Sequence, residues 1–353
     1  MRMGMMRHAF LCAVLAMLAG AVAHAEVFSG AGSSAAAPIY RSWGSAYEQA
    51  SGHTLAYASI GSSAGVQKIK AGEVGYGASD VAPAQADLDR DGLLVFPIAV
   101  TGIAPVINLP RVTENQLRLN GPVLAGIYLG TISRWNASEI AALNPRMSLP
   151  DLPIKVIVRG DGSGTTYNFA DYLAKVSPAW REKMGVKSKL DWPSGFIEAK
   201  GSEGVARKLS ETVGGIAYVD YGYVPEFRLT TVQLSNQAGE FVAPSHDSFR
   251  AALNASSWIS TGNFTTTLTQ QAGTRVWPLT MATFALVPKV SSKPQLTTAA
   301  LRFLAWSFMR GDDLVQKSNF VRLPDRVQAA AFKVISSVKD EAGHPIGLNS
   351  LSF

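Results

Sequence analysis

Cysteine is nearly absent. Cys12 is the only one in 353 residues, and it falls inside an N-terminal stretch with the marks of an export leader. Arg2 and Arg7 make a basic start, Ala9 to Val22 a short apolar run, and Ala23-His24-Ala25 an A-x-A cleavage site. Removal of residues 1–25 leaves a mature chain with no disulfide, no thiol nucleophile and no thiolate metal ligand. Cys12 also lacks the leucine three residues upstream, and the position after the apolar run, that a lipoprotein cysteine requires. Long apolar runs are missing too. The Ala9–Val22 stretch is shorter than the about 20 residues a bilayer span needs, and no later segment is long and apolar enough. An uncleaved anchor is the alternative; the expectation is a soluble periplasmic protein. Roughly 330 mature residues suffice for two cored domains without staples.

Charge is sparse. Charged residues make up 16% of the chain, and the formal net charge of +6 falls to about +4 without Arg2 and Arg7. The densest basic cluster, Arg181–Lys189, contains Glu182 and no interleaved aromatic, so it reads as a solvated helix end and not as a nucleic-acid surface. The mild positive excess favours small anions without naming one. Outside the leader the histidines are His53, His246 and His344, and no HExxH or paired spacing supports zinc. The "DLDRDG" stretch, Asp87–Gly92, matches half a calcium loop, but Ile98 falls where the bidentate glutamate belongs. A polar turn is expected there.

What the chain does have is an alternation of apolar runs and helical patterns, the signature of an α/β fold. "TLAYASI" precedes "AGVQKIKAG"; "IKVIVRG" precedes "TTYNFADYLAKV"; "GGIAYVDY" follows later. Pro38 sits near a helix start with Tyr40, Trp43 and Tyr47 on one face, ending at Gly52. Two long apolar segments, "LLVFPIAVTGIAPVINLP" and "RVWPLTMATFALVPK", suit strands on which the chain crosses to a second domain and returns. The helical pattern "TTAALRFLAWSFMRG" would then rejoin the first domain.

Three glycine-and-serine turns stand between an apolar run and a helical pattern: "GAGSSA" (30–35), "GSSAG" (61–65) and "GDGSGTT" (160–166). A dinucleotide fingerprint at the first lacks the acidic residue that should close the next strand, and the third lacks a P-loop lysine. The second is a literal G-x-S-x-G, which would make Ser63 an esterase nucleophile if a histidine faced it. Each turn would also present free backbone N–H groups and hydroxyls at a helix N-terminus, where the macrodipole favours anions. The plain alternative is that Ser34, Ser62 and Ser163 are ordinary N-caps. Arg159, just before the third turn, offers a guanidinium fork that Asp161 could steady. Asp80, in "GYGASD", fits an anion site if the anion carries a proton. Phosphate does and sulfate does not, so an ionised aspartate would accept from one and repel the other.

Together, "GAGSSAAAPIYRSW", "GSSAGVQKIKAGEVGYGASD", "LAGIYLGTISRWNASEIAALNP", "VIVRGDGSGTT" and "GGIAYVDYGY" resemble the phosphate-binding protein of periplasmic ABC phosphate importers, in order and over nearly all the mature chain. The resemblance implies the type II periplasmic binding fold: two α/β lobes joined by two crossover strands and closing over a dehydrated phosphate. It places residues 26–108 in lobe I, 109–280 in lobe II and 281–353 back in lobe I, with hinges near Asn108–Arg111 and Thr280–Phe284. Carried over residue by residue, the phosphate contacts would be Ser34, Ala35, Ser62 and Asp80 from one lobe. Arg159, Ser163, Gly164 and Thr165 would come from the other, with Asp161 positioning the arginine. The family commonly has threonine-phenylalanine where this chain has Ser34-Ala35, so an aromatic wall is lost. The implied protein is a monomer and not an enzyme, with no metal, cofactor or nucleic acid. Its partners would be inorganic phosphate, with arsenate as the rival ligand, and the membrane permease of an ABC importer. The rival class is the exported esterase.

Overall fold

The computed structural model describes residues 26–349; the expected leader and Cys12 lie outside them. The first strand, β1 (Val27–Gly32), runs into helix α1 (Ala37–Ser51). Pro38 occupies its first turn, where a missing N–H breaks no helical bond, and Gly52 closes it at φ 75°, donating to Glu48 O. The apolar face of α1, with Ile39, Tyr40, Trp43 and Tyr47, is buried. Then follow β2 (Thr54–Ser59), α2 (Ser62–Lys70), β3 (Tyr76–Ser79) and the 16-residue β4 (Leu93–Asn108). The second half of the chain adds β5 (Lys155–Arg159), α3 (Gly164–Val176), β6 (Ile197–Ala199), α4 (Gly201–Ser210) and β7 (Gly215–Asp220). It ends with β8 (Thr280–Pro288) and α5 (Pro294–Arg310). Among the described residues the main sheet has the order β2-β1-β3-β8-β4-β7-β5-β6, with the two-residue strand Thr230–Thr231 also pairing β4.

The outer strands pair in parallel, β1 with β2 and β3, and β5 with β6 and β7. Parallel ladders need helical crossovers, which explains the alternation read in the sequence. The middle is antiparallel: β8 lies between β3 and β4, and β4 lies between β8 and β7. Strand β4 is long because it serves both halves. Leu93–Gly102 pairs with β8, and Ile103–Asn108 with β7, so its partner changes between Gly102 and Ile103. The returning chain crosses alongside, where the Ile103 amide donates to Leu279 O at 2.7 Å and the Trp277 indole to Ile103 O at 2.9 Å. Of the two expected hinge segments, Thr280–Phe284 begins at this switch, opposite Gly102, whereas Asn108–Arg111 starts beyond it at the C-terminal end of β4.

Helix α5 packs back on β1, with Phe303 5.3 Å from the Phe28 ring, as its spacing predicts. The Asp87–Gly92 stretch differs from the expected turn. It is the end of a helix, Gln85–Asp91, terminated by Gly92 at φ 63°. Arg90 there pairs with Asp87 one turn back, and such i,i+3 pairs favour the helix over an open polar loop.

Candidate functional site

The three turns converge where the two sheet halves face each other. In the first, after β1, the Ser33 hydroxyl accepts the Ala36 amide at 3.1 Å and donates to Asp80 Oδ1 at 2.6 Å. Ser34 points to the other half: its Oγ accepts the Ser202 amide at 3.0 Å and lies 3.2 Å from the Ser202 hydroxyl. Its carbonyl accepts the Tyr223 hydroxyl at 2.7 Å. Ala35 is buried, so loss of an aromatic at that position does not leave it open to solvent.

In the second turn Gly61 adopts φ 90°, a left-handed backbone that side chains disfavour. A Cβ there would come within 2.7 Å of Asp161 Oδ2 and 2.8 Å of Gly162 O. Ser62, the first helical residue of α2, accepts the Asp80 amide at 3.2 Å and lies 3.4 Å from Asp80 Oδ2.

The third turn supplies the cation. Arg159, the last residue of β5, is 2% exposed. Its Nε and Nη2 donate to Asp161 Oδ1 and Oδ2 at 2.7 and 2.6 Å, and Nη1 reaches the Ser202 hydroxyl at 3.4 Å. Asp161 also accepts the Gly201 amide at 3.2 Å. Ser163 caps α3 by accepting the Thr166 amide at 3.1 Å, which leaves the Gly164 and Thr165 amides at the open helix end. The Thr165 hydroxyl is buried without a hydrogen-bond partner. Asn168, one turn into α3, donates across the cleft to Asp80 O at 2.7 Å.

The close approach of the halves explains Gly164. A Cβ on it would stand 2.6 Å from Ser62 Oγ, 2.7 Å from Asp80 Cβ and 2.9 Å from Asp80 N. Glycine at this point lets the helix end touch the opposite turn. The electrostatics follow from the same closeness. Burial pushes the Asp80 carboxyl up to about 6 from 3.8, opposed by the Ser33 hydroxyl and the Arg159 charge. For Asp161, burial also raises, but the Arg159 hydrogen bonds and charge outweigh it and hold the carboxyl below its ordinary value. The cleft therefore carries a fixed guanidinium, a carboxylate that is ionised at neutral pH, and several neutral donors. Such a set suits a small anion that itself bears a proton.

Ser34, Ala35, Ser62, Asp80, Arg159, Asp161, Ser163, Gly164 and Thr165 all lie at this cleft. Asp80 is 3% exposed, so it is no surface cap. Ser163 is an N-cap and Ser62 is not. The esterase geometry is absent. Ser63 is exposed on α2, while His53 accepts the Glu26 amide, His344 pairs with Asp340 and His246 packs on the Tyr221 ring. Among the described residues none of these histidines bonds Ser63.

The chain matches the family model described as a PBP superfamily domain over residues 19–310. It is 41% identical to the phosphate-binding protein PstS of Pasteurella multocida over 324 residues, covering 92% of this chain and 94% of that one. With the phosphate-binding protein PstS of Haemophilus influenzae it is 40% identical, covering 90% and 93%. The chain belongs to the phosphate-binding protein family. A solved phosphate-binding protein from Stenotrophomonas maltophilia shares the fold, with a TM-score of 0.69 at 18% identity over 92% of this chain and 98% of that one. The two-lobed α/β architecture is thus that of the type II periplasmic binding proteins.

Four neighbours of these cleft residues lie outside the sequence expectation: Ser33, Asn168, Ser202 and Tyr223. Ser33 is hidden by its neighbour, since "SS" leaves open which hydroxyl faces Asp80. Ser202 carried a usable signal. Gly201-Ser202 opens α4 in the same way as the three turns open theirs, and Gly201 adopts φ 69°. Asn168, within α3, and Tyr223, the first residue of a short helix Tyr223–Phe227, carry no local mark of a cross-cleft contact.

Proposed function

We propose that this chain is a non-enzymatic solute-binding protein that captures inorganic phosphate between its lobes and hands it to the membrane permease of an ABC importer. The observation that carries the reading is the convergence of buried Asp80 and buried Arg159, from opposite sheet halves, close enough for the Arg159 charge to act on the Asp80 carboxyl. Arg159, with its fork held by Asp161, and the N-terminal amides of α3 would bind phosphate oxygens. Ser34, Ser62, Ser163 and Thr165 hydroxyls and the Ala35 amide would complete the shell. Asp80 would accept the phosphate proton, which sulfate cannot offer. Charge-assisted hydrogen bonds of about 1.5–3 kcal/mol each support micromolar or tighter binding after desolvation.

The lobe boundaries, expected at residues 108 and 280, move to the strand switch, because Ile103–Asn108 pairs with β7: lobe I comprises residues 26–102 and 280–353, and lobe II residues 103–279. The side-by-side crossings at Gly102–Ile103 and Leu279–Thr280 are the natural bending point for opening. Residues 1–25 direct export to the periplasm and are then removed. The protein acts as a monomer, without nucleic acid.

Calorimetry of the mature protein with phosphate, arsenate and sulfate tests the reading. Phosphate heat with no sulfate heat is expected. Absence of phosphate binding, or sulfate bound as tightly, would sink it. No observation favours arsenate over phosphate.

A further inference from the structure

A second carboxyl lies behind the site, and the binding chemistry above does not use it. Asp220 ends β7 opposite Ile103, at the point where β4 changes partner. It is fully buried. Its Oδ1 accepts the Gly222 amide at 2.8 Å, whereas Oδ2 has no hydrogen-bond partner. The next residue, Tyr221, donates its amide to Gly102 O at 2.8 Å, so this segment is stitched to both sides of the partner switch. The buried Thr101 hydroxyl lies beside Asp220 and, like the Gly222 amide, acts on it as a donor that favours the ionised form without supplying a charge. Among the described residues no cation acts on the carboxyl. The titratable group acting on it is Asp80, from the end of β3; Tyr223, three residues on, itself feels the Asp220 charge, and Arg41 and Glu226 act on Tyr223 and pair with each other at the surface. From β4 comes only the neutral Thr101.

We infer that Asp220 is a proton-holding carboxyl at the lobe junction, which stays neutral while an anion occupies the cleft and so couples anion binding to proton uptake. The inference rests on the phosphate reading of the cleft. The reasoning is electrostatic. An ionised carboxylate with no cation beside it is costly inside a protein, so burial raises Asp220 well above the ordinary aspartate against the pull of the Gly222 amide and the Thr101 hydroxyl, and the Asp80 charge raises it further. A phosphate anion beside Asp80 adds negative charge on the same side. Bound protein therefore holds the Asp220 proton to higher pH than free protein does. By linkage, affinity falls as pH rises wherever the free protein has lost that proton and the complex has kept it. Opening at the crossings would also bring water towards Asp220 and ease its ionisation, which acts in the same direction.

The test compares wild type with Asp220→Asn by calorimetry at pH 6 to 9, in two buffers of different ionisation enthalpy. Phosphate's own titration is common to both proteins and cancels in the difference. Binding within about threefold of wild type at pH 6 is expected for the variant. At higher pH the wild type should take up additional protons, and its affinity should fall relative to the variant by up to about tenfold per pH unit within the linked range. Equal proton counts at every pH would overturn the inference while leaving phosphate binding intact. Absence of binding by wild type would instead remove the underlying reading. If the variant does not fold, isotope-edited infrared spectra of aspartate-labelled wild type decide at pH 8, where Asp80 is ionised. A protonated carboxyl band that strengthens on adding phosphate supports Asp220, and its absence with phosphate bound overturns it.

Discussion

Ser34 and Ser202 are 168 residues apart in sequence, yet their hydroxyl oxygens lie 3.2 Å apart across the cleft. The Ser202 amide donates to the same Ser34 oxygen, and the Ser202 hydroxyl receives Arg159 Nη1. Ser202 thus ties a proposed phosphate contact of the opposite lobe to the arginine of its own, and its Ser34 contacts form only when the lobes are together. Ser202→Ala should weaken phosphate binding by roughly three- to tenfold, from one net hydrogen bond, and mainly by speeding release. Stopped-flow displacement measures this; an unchanged release rate would assign Ser202 no part in closure.

Gly164→Ala is expected to block closure without unfolding either lobe. The added methyl meets Ser62 Oγ, Asp80 Cβ and the Asp80 backbone, all on the opposite lobe. Phosphate affinity should fall by about a hundredfold or more, as a closed state disfavoured by roughly 3 kcal/mol requires. Small-angle scattering should show no compaction at saturating phosphate. Compaction equal to wild type would refute the steric account.

The fork between Arg159 and Asp161 is two charge-assisted bonds with the arginine buried. Asp161→Asn keeps the shape and removes the charge, and should lower phosphate affinity about tenfold. Arg159→Lys loses the planar fork altogether and should cost about a hundredfold or more. Titration calorimetry separates them, and equal losses would mean that the fork geometry is immaterial.

Asp80 carries two expectations. Asp80→Asn should narrow the preference for phosphate over sulfate, because the amide can donate where the carboxylate only accepts. Unchanged discrimination would show that Asp80 is not the proton acceptor. Stability has a definite sign as well. The folded protein holds the Asp80 proton to about pH 6, against 3.8 for an ordinary aspartate. Below pH 4 both states are protonated and nothing is lost. Stability falls as pH rises from 4 to 6, since only the unfolded chain releases the proton freely. Without ligand, Asp80→Asn should therefore be more stable by an amount on the order of 3 kcal/mol above pH 6 and show no gain below pH 4. Urea unfolding at pH 4 and pH 7.5 checks this.

Much of the cleft was legible because its chemistry is local. Glycine-serine turns before helices, Arg159 two residues from Asp161, and Pro38 and Gly52 at the ends of α1 are decided by neighbours in sequence. Contacts that depend on how two halves meet were not. Nothing near Ser202 says that it faces Ser34, and nothing near Asn168 says that it reaches the Asp80 carbonyl. The partner switch in β4 was equally hidden, because an apolar strand buried on both faces reads the same along its whole length. The position of β8 between β3 and β4 is set by the sheet as a whole.

That position governs the order in which the molecule can be completed. Strands β4, β5, β6 and β7 are all contiguous in the chain before residue 221, so the second half of the sheet can pair as soon as they emerge. The first half cannot. Its ladder has an empty place between β3 and β4 until Thr280–Pro288 arrives. For a chain that emerges from its N-terminus, the usual sequence of maturation is inverted: the half begun first is finished last, and the Ser34–Asp80 side of the cleft waits on residues more than two hundred positions away.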